Sequence, residues 1–216
     1  MAGEEQPPSY CFLILLLQAA FFCLKILVRL FFFSLLSPDI ARPERTLRTA
    51  RLVFFDLETT ALWPDRGGCI CEIAVVDHNG VALDWTSSQT PPSDDAVRRQ
   101  LPHLLDSLQN QVVVGHNLEF DFRFVTYEAE RLGRTGLHLQ YIDTLGLARS
   151  LLDAPPDYKL GTLLAYFDAV PDETLHTAVG DALATRALFW HLVDTGDLNT
   201  LADAGIKQLR WHGGRG

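Results

Sequence analysis

The order of apolar and polar positions predicts a domain of strands and helices behind a strongly hydrophobic amino-terminal segment. Short apolar runs predict strands over 51–57, 69–77, 80–85, 112–114 and 139–142. Helical spacing and capping signals predict helices over about 94–110, 118–132, 144–152, 159–167, 177–193 and 199–211. Three opening strands followed by alternating strands and helices predict an α/β fold, in which a mixed central sheet is flanked by helices.

The hydrophobic segment, residues 11–36, is apolar at every position except Gln18, Lys25, Arg29 and Ser34. A cleaved signal peptide is disfavoured, because the ten preceding residues contain two glutamates and no lysine or arginine. The length suits a transmembrane helix. Positions 18, 25 and 29 also share one narrow stripe of a helix, which suits a helix that lies on the membrane or packs on a partner. A misassigned start of the chain is the remaining alternative.

Arginines follow the hydrophobic segment and none precedes it, so the positive-inside rule predicts a cytoplasmic domain. The predicted organisation is a hydrophobic segment over 1–37, a linker over 38–50, a globular domain over 51–196, and a C-terminal helix with a basic tail over 197–216. If the hydrophobic segment binds the membrane, we expect the domain to be anchored to the inner face of the cytoplasmic membrane.

Charge excludes a protein that coats nucleic acid with basic residues. The chain has a net charge of −9, and from Arg51 onward 13 lysines and arginines stand against 23 aspartates and glutamates. An acidic protein can still act on phosphates when metal ions lie between the two. The four cysteines have no metal-site spacing, and they indicate a reducing compartment.

Acidic residues occupy four places where a core pattern predicts apolar ones. Asp56 and Glu58 are two residues apart on a predicted strand, so their side chains point to one face, and each pKa would be raised unless a cation lies between them. Asp121 and Asp181 lie near the starts of helices, and Asp143 ends a strand. Taken singly, each has a structural explanation as a solvated strand end, a helix-dipole partner or an N-cap.

Three motifs in order resemble the DEDDh 3′–5′ exonuclease family, which has an RNase H-like fold. They are Asp56-x-Glu58, then His116-Asn117-x-x-Phe120-Asp121, then His176-x-x-x-x-Asp181. The resemblance covers about residues 51–194. Within the family, the exonuclease domain of the proofreading epsilon subunit of bacterial replicative DNA polymerase is most similar, through the segments FDLETT, VGHNLEFD, DTLGLAR and HTAVGDA.

The resemblance implies a site and a cofactor. It makes His176 the general base, and it implies two divalent cations, Mg²⁺ or Mn²⁺. It also implies four metal-binding carboxylates, a pair of nucleotide-binding residues and three supporting residues. The metal-binding carboxylates are Asp56, Glu58, Asp121 and Asp181. The nucleotide-binding pair is Thr59 and Thr60, and the supporting residues are His116, Asn117 and Asp143.

The implied activity is removal of nucleoside 5′-monophosphates from the 3′ end of DNA, similar to polymerase proofreading. We expect nucleic acid 3′ ends as the substrate, single-stranded DNA first, and a DNA polymerase or another replication or repair protein as a partner. The membrane is a further expected partner through residues 11–36. One alternative is a 3′–5′ exoribonuclease acting on RNA ends or short oligoribonucleotides. A non-enzyme alternative is a nucleic-acid-binding or membrane scaffold with an inactive site.

Overall fold

The computed structural model describes residues 42–169 and 175–213. The hydrophobic segment and the helix predicted for it lie outside these ranges. Within them, no helix combines the length and the apolar character needed to cross a membrane. The described residues belong to one structural unit, Ile40–Gly216.

A six-stranded mixed sheet forms the centre of the described chain. Its strands are β1 Leu52–Thr59, β2 Ile70–Val76, β3 Val81–Thr86, β4 Val112–Gly115, β5 Leu137–Asp143 and β6 Lys207–Trp211. The strand order is β3-β2-β1-β4-β5-β6. β1, β4 and β5 run parallel to one another, whereas β2, β3 and β6 pair antiparallel with their neighbours. The five strands predicted from apolar runs are confirmed.

Helices cover both faces of this sheet. They are α1 Asp94–Leu108, α2 Leu118–Arg131, α3 Thr144–Leu151, α4 Leu160–Tyr166 and α5 Ala178–Thr195. Helices α1 and α2 pack on one face over a cluster that contains Phe55 and Ile73. Helices α3, α4 and α5 pack on the other face over a cluster that contains Phe54 and Phe189. This architecture confirms the predicted mixed α/β class and is consistent with the RNase H-like fold that the resemblance implies.

The alternation of β1 decides which face carries its acidic residues. Residues 53, 55 and 57 lie in the cluster below α1 and α2. Leu52 and Phe54 lie in the cluster below α3, α4 and α5. Because successive side chains of a strand point to opposite faces, Asp56 and Glu58 continue the second series and lie on the face that α5 covers.

The helix predicted over 199–211, and with it the C-terminal helix of segment 197–216, is wrong. Residues 201–205 form turns, and Lys207–Trp211 is the edge strand β6, which pairs antiparallel with β5. Leu209 and Trp211 pack against the cluster below α1 and α2. The reason is tertiary, because β5 offers an unpaired edge that a short segment with apolar side chains two residues apart can complete.

The end of the predicted linker packs on the domain. Leu47 is buried, and its backbone amide donates to the carbonyl of Asn199. Thr46 and Thr200 form an isolated antiparallel bridge. The globular unit therefore begins before Arg51.

Candidate active site

Three predicted metal-binding carboxylates meet at the carboxyl end of β1. One carboxylate oxygen from each of Asp56, Glu58 and Asp181 lies within 4.8 Å of the other two. Asp56 and Glu58 come from β1, and Asp181 comes from the first turn of α5, which packs on the same face. The fold therefore brings together residues that are far apart in the sequence.

Asp121 lies beside this group of three. It is buried, and its Oδ1 accepts a hydrogen bond from the backbone amide of Leu57 at 3.1 Å. Helix α2 starts just after β4, and β4 is the sheet neighbour of β1. The first turn of α2 therefore brings the Asp121 carboxylate to the end of β1. It meets β1 at Leu57, the residue between Asp56 and Glu58.

Like charges and burial perturb these carboxyl groups. Burial raises the pKa of Asp56 well above its ordinary value, and the charges of Asp121, Asp181 and Glu58 raise it further. Burial also raises the pKa of Asp121, against the lowering effect of hydrogen bonds from two backbone amides. The pKa values of Glu58 and Asp181 are raised too, again chiefly by burial. Removing this mutual repulsion requires protons or cations.

The donor set fits a hard divalent cation. The groups that converge are carboxylate oxygens, which Mg²⁺ and Mn²⁺ prefer as ligands. Their closeness without a basic side chain in the group of three is costly unless positive charge is bound there. Asp56, Glu58 and Asp181 are the residues that would hold such ions, with Asp121 next to them.

His176 lies at the edge of the same group, just before α5. Its side chain is exposed, and its backbone has a left-handed φ of 76°, which costs a non-glycine residue about 1–3 kcal/mol. The backbone amide of His176 donates to Asp181 Oδ1 at 3.2 Å. The imidazole is close enough that its charge lowers the pKa values of Glu58 and Asp181.

Asp143 holds the backbone of the second motif in place through hydrogen bonds. Its Oδ1 accepts hydrogen bonds from the backbone amides of Asn117 at 2.9 Å and Leu145 at 3.0 Å. The predicted N-cap of α3 is thereby confirmed. Asn117 is the N-cap of α2, but it has a left-handed φ of 68° and its side chain makes no capping bond. The Asp143 carboxylate, on the neighbouring strand end, thus holds the entry to α2.

His116 links the second motif to the segment before α4. Its Nε2 lies 2.9 Å from the carbonyl oxygen of Tyr158, and its Nδ1 lies 2.9 Å from Oγ1 of Thr144. Because a carbonyl can only accept, Nε2 of the neutral ring carries the proton, and the Thr144 hydroxyl, which lies beside Nδ1, donates to the carbonyl of Gly115 at 3.1 Å. Burial lowers the pKa of His116, which favours this neutral form, and the ring is within electrostatic range of Asp181.

Thr59 and Thr60 close the loop that leaves β1. The Thr59 hydroxyl donates to the carbonyl of Ala61 at 3.0 Å. Thr60 Oγ1 accepts from the amide of Cys69 at 3.0 Å, and the Thr60 amide donates back to the carbonyl of Cys69 at 2.9 Å. Both hydroxyls therefore have loop partners, and their role at a bound nucleotide stays a prediction.

Glu72 is a residue at this site that the motifs did not predict. It lies directly opposite Glu58 on β2, and its Oε2 accepts a hydrogen bond from the backbone amide of Ala178 at 2.9 Å. Its charge contributes to the raised pKa values of Asp56, Glu58 and Asp181. The available signal was a charged residue inside the apolar run ICEIAVV.

Comparison with known proteins finds similarity to exonucleases and to DNA polymerases. A family model described as an exonuclease matches residues 86–189, which include Asp121, His176 and Asp181. The chain is 29% identical over 171 residues to the PolC-type DNA polymerase III of Thermotoga petrophila, an alignment that covers 70% of this chain and 12% of that protein. It is 29% identical over 181 residues to the 3′-5′ exonuclease DinG of Bacillus subtilis, covering 74% of this chain and 19% of that protein. The chain thus spans less than a fifth of these relatives.

Two solved structures have a similar fold. Cell-death related nuclease 4 superposes with a TM-score of 0.52 at 16% identity, covering 71% of this chain and 65% of that one. A 3′-exonuclease solved for 3′-end specific recognition of a histone mRNA stem-loop also gives 0.52, at 12% identity and with coverages of 73% and 70%. At these identities the likeness establishes the fold.

Proposed function

We propose that this chain is a metal-dependent 3′–5′ exonuclease, on the basis of the exonuclease family model that matches residues 86–189 and of its similarity to PolC-type DNA polymerase III. It hydrolyses the 3′-terminal phosphodiester of DNA and releases nucleoside 5′-monophosphates. The observation that carries the proposal is the meeting of Asp56, Glu58 and Asp181 within 4.8 Å. His176, an exposed histidine at the edge of that group, supplies the general base that the reaction needs.

Each residue then has a distinct task. Two bound divalent cations would activate water and neutralise charge on the phosphate and on the leaving 3′ oxygen. Asp56, Glu58 and Asp181 hold the ions, and Asp121 supports them from beside β1. His176 accepts the proton of the attacking water, a task for which an exposed imidazole next to carboxylates is suited.

A neighbouring cavity offers a path for the substrate strand. It has a volume of about 570 Å³ and is lined in part by Asn117, Arg149, Tyr158 and Lys159. It opens where β4 and β5 end, at the same edge of the sheet as the carboxylates, and such edges are where α/β folds bind ligands. Arg149 and Lys159 are exposed there, so they can contact the phosphodiester backbone upstream of the cleaved bond.

DNA is the proposed substrate, because the curated relatives are named as a DNA polymerase and as a 3′-5′ exonuclease. The alternative substrate is RNA, and one experiment separates the two. The full chain is incubated with matched 3′-labelled DNA and RNA single strands in Mg²⁺ or Mn²⁺. We expect mononucleotide release from DNA. Preferential release from RNA would instead support the exoribonuclease alternative.

The matched variants for this experiment lie on one helix. Asp181→Ala removes one of the three clustered carboxylates and should lower the rate of mononucleotide release about 10²–10³-fold or more. Asp194→Ala removes an exposed carboxylate near the other end of α5 and should leave the rate unchanged. A wild-type chain that degrades neither nucleic acid with either metal would support the scaffold alternative instead.

We also propose that the exonuclease works beside a DNA polymerase. The relatives of PolC type join a segment similar to this chain to a much longer polypeptide. An acidic chain by itself should bind nucleic acid weakly and in a salt-sensitive manner. Co-elution with the replicative polymerase of the same organism would support the partnership, and independent elution at micromolar concentrations would contradict it.

The location of the protein is a separate proposal. We propose a cytoplasmic catalytic domain that residues 11–36 attach to the inner face of the cytoplasmic membrane, on the basis of their composition and the arginines that follow. Carbonate extraction of membranes distinguishes a spanning segment from peripheral attachment. Recovery of the full chain wholly in the soluble fraction would contradict both.

A further inference from the structure

Glu72 connects the sheet to the turn that carries the proposed general base. It lies on β2, opposite Glu58, so both side chains point to the face that α5 covers. Its Oε2 accepts a hydrogen bond from the amide of Ala178, which is 106 residues away and is the first residue of α5. The amides of a first helical turn have no partner within the helix, and a carboxylate there is favoured by the helix dipole.

Two further hydrogen bonds of this turn are local. The Thr177 hydroxyl accepts from the amide of Gly180 at 3.1 Å, and Asp181 Oδ1 accepts from the amide of His176 at 3.2 Å. These two bonds fix the shape of the turn, but they do not tie it to another element. The bond from Ala178 to Glu72 does, because it ends on β2, the sheet neighbour of the strand that carries Asp56.

Packing fixes α5 but not His176. The side chains of Ala182, Leu188 and Phe189 are fully buried, so apolar contacts hold the body of the helix on the sheet. The His176 side chain is exposed, so apolar packing does not hold the imidazole itself, although the adjacent Leu175 packs against the core.

We propose that Glu72 is a positioning residue whose carboxylate docks the first turn of α5 on β2 and thereby places His176. The proposal rests on the exonuclease function, in which His176 is the base. In this role Glu72 acts through His176 and not directly on the substrate or the attacking water. Its contribution is the hydrogen bond to Ala178, for which a neutral oxygen acceptor of the same shape is a near substitute.

Kinetics of three variants test this. Glu72→Ala should lower kcat about 10–100-fold, the range found for residues that orient a functional group, with KM unchanged. Glu72→Gln keeps the acceptor and should keep kcat within about threefold of wild type. Asp84→Ala, an exposed carboxylate on the adjacent strand β3, is the matched control and should match wild type. Equal loss in the Ala and Gln variants, or no loss in either, overturns the proposal.

A double-mutant cycle separates positioning from general destabilisation. In a His176→Ala background, Glu72→Ala should cost at most about twofold, because there is no imidazole left to place. A cost as large as that in the wild-type background would mean that Glu72 acts independently of His176, and this also overturns the proposal.

Amide exchange gives a readout that does not depend on activity. In the Glu72→Ala variant, protection of the Ala178 amide should fall about tenfold or more, whereas Glu72→Gln should retain it. If the wild-type chain is not a nuclease, the proposed function fails. The exchange measurement still tests whether Glu72 docks the first turn of α5 on β2. Full protection of Ala178 in the Glu72→Ala variant contradicts the inference whatever the activity.

Discussion

The carboxylate of Asp121 accepts a hydrogen bond from the backbone amide of Leu57 at 3.1 Å, and Leu57 is the residue between Asp56 and Glu58. One oxygen of Asp121 is thus committed to holding the end of β1. The other carboxylate oxygen is the atom that Asp121 can offer to a cation. The structural role of Asp121 and its proposed metal-binding role therefore fall on one buried side chain.

Two substitutions of Asp121 should separate these roles. Asp121→Asn retains an oxygen acceptor for Leu57 but loses the negative charge, so it should fold and lose exonuclease activity. Asp121→Ala also leaves the Leu57 amide without its partner, which should lower the free energy of unfolding by about 1–3 kcal/mol more. Urea denaturation and rates of mononucleotide release measure the two effects. Full activity in the Asn variant would exclude Asp121 from metal binding.

Metal-free stability should depend on pH through Asp56. The pKa of Asp56 is raised in the folded chain by burial and by neighbouring carboxylates. Its contribution to stability is therefore complete below its ordinary pKa of 3.8 and is lost as the pH rises through the raised value. Asp56→Asn does not ionise, so in EDTA its Tm advantage over wild type should widen from about pH 4 to about pH 8.

Divalent cations should reverse that difference. Mn²⁺ should bind the folded wild-type chain and raise its Tm, whereas the Tm of Asp56→Asn should respond weakly. Scanning calorimetry with and without Mn²⁺ measures both effects. A Tm gap that is constant with pH would contradict the role assigned to like-charge repulsion.

Asp143 should matter as a hydrogen-bond acceptor and not as a charge. Asp143→Ala removes the acceptor for Asn117 and Leu145, and loss of the N-cap alone should cost about 0.5–2 kcal/mol of stability. Asp143→Asn keeps an oxygen acceptor and should retain most of the stability and activity. If the Asn variant lost activity to the same extent as Asp56→Asn, a direct role in metal binding would follow.

Arg149 and Lys159 should contribute phosphate contacts. Replacing either by alanine should weaken binding of single-stranded DNA and reduce the slope of log K against log salt by about 0.7. Arg134→Ala, an exposed arginine after α2, is the control and should leave the slope unchanged. Fluorescence anisotropy in Ca²⁺ over a salt series measures the slopes, and identical slopes for all variants would remove the cavity from the proposed strand path.

Local pattern was sufficient for the strands that carry the site. Asp56 and Glu58 interrupt an apolar run with a spacing of two, and a strand can place that spacing only on one face. The capping role of Asp143 was also readable, because it precedes a helical pattern and the structure confirms its side-chain bond to the backbone amide of Leu145. These features depend on neighbours within a few residues.

Features that depend on distant elements were not predictable in the same way. Strand β6 forms because β5 leaves an edge to pair with, and nothing within residues 199–211 identifies that edge. The bond between Glu72 and Ala178 joins residues 106 positions apart, so the strand pattern alone could not distinguish a positioning carboxylate from a polar residue at a strand end.

The pairing of β1 with β2 sets a limit on changes in chain length. Glu58 opposes Glu72 while Thr59 opposes Ile70, so Cys71 is the extra residue of a β-bulge. Ile70 thereby reaches the cluster below α1 and α2, while Glu72 faces α5. An insertion or deletion of one residue between Glu72 and Val76 would turn part of β2 to the wrong face, whereas insertions in the loop over 61–68 leave both strands in register. Length variation among relatives of this protein should therefore occur in that loop and stop at residue 70.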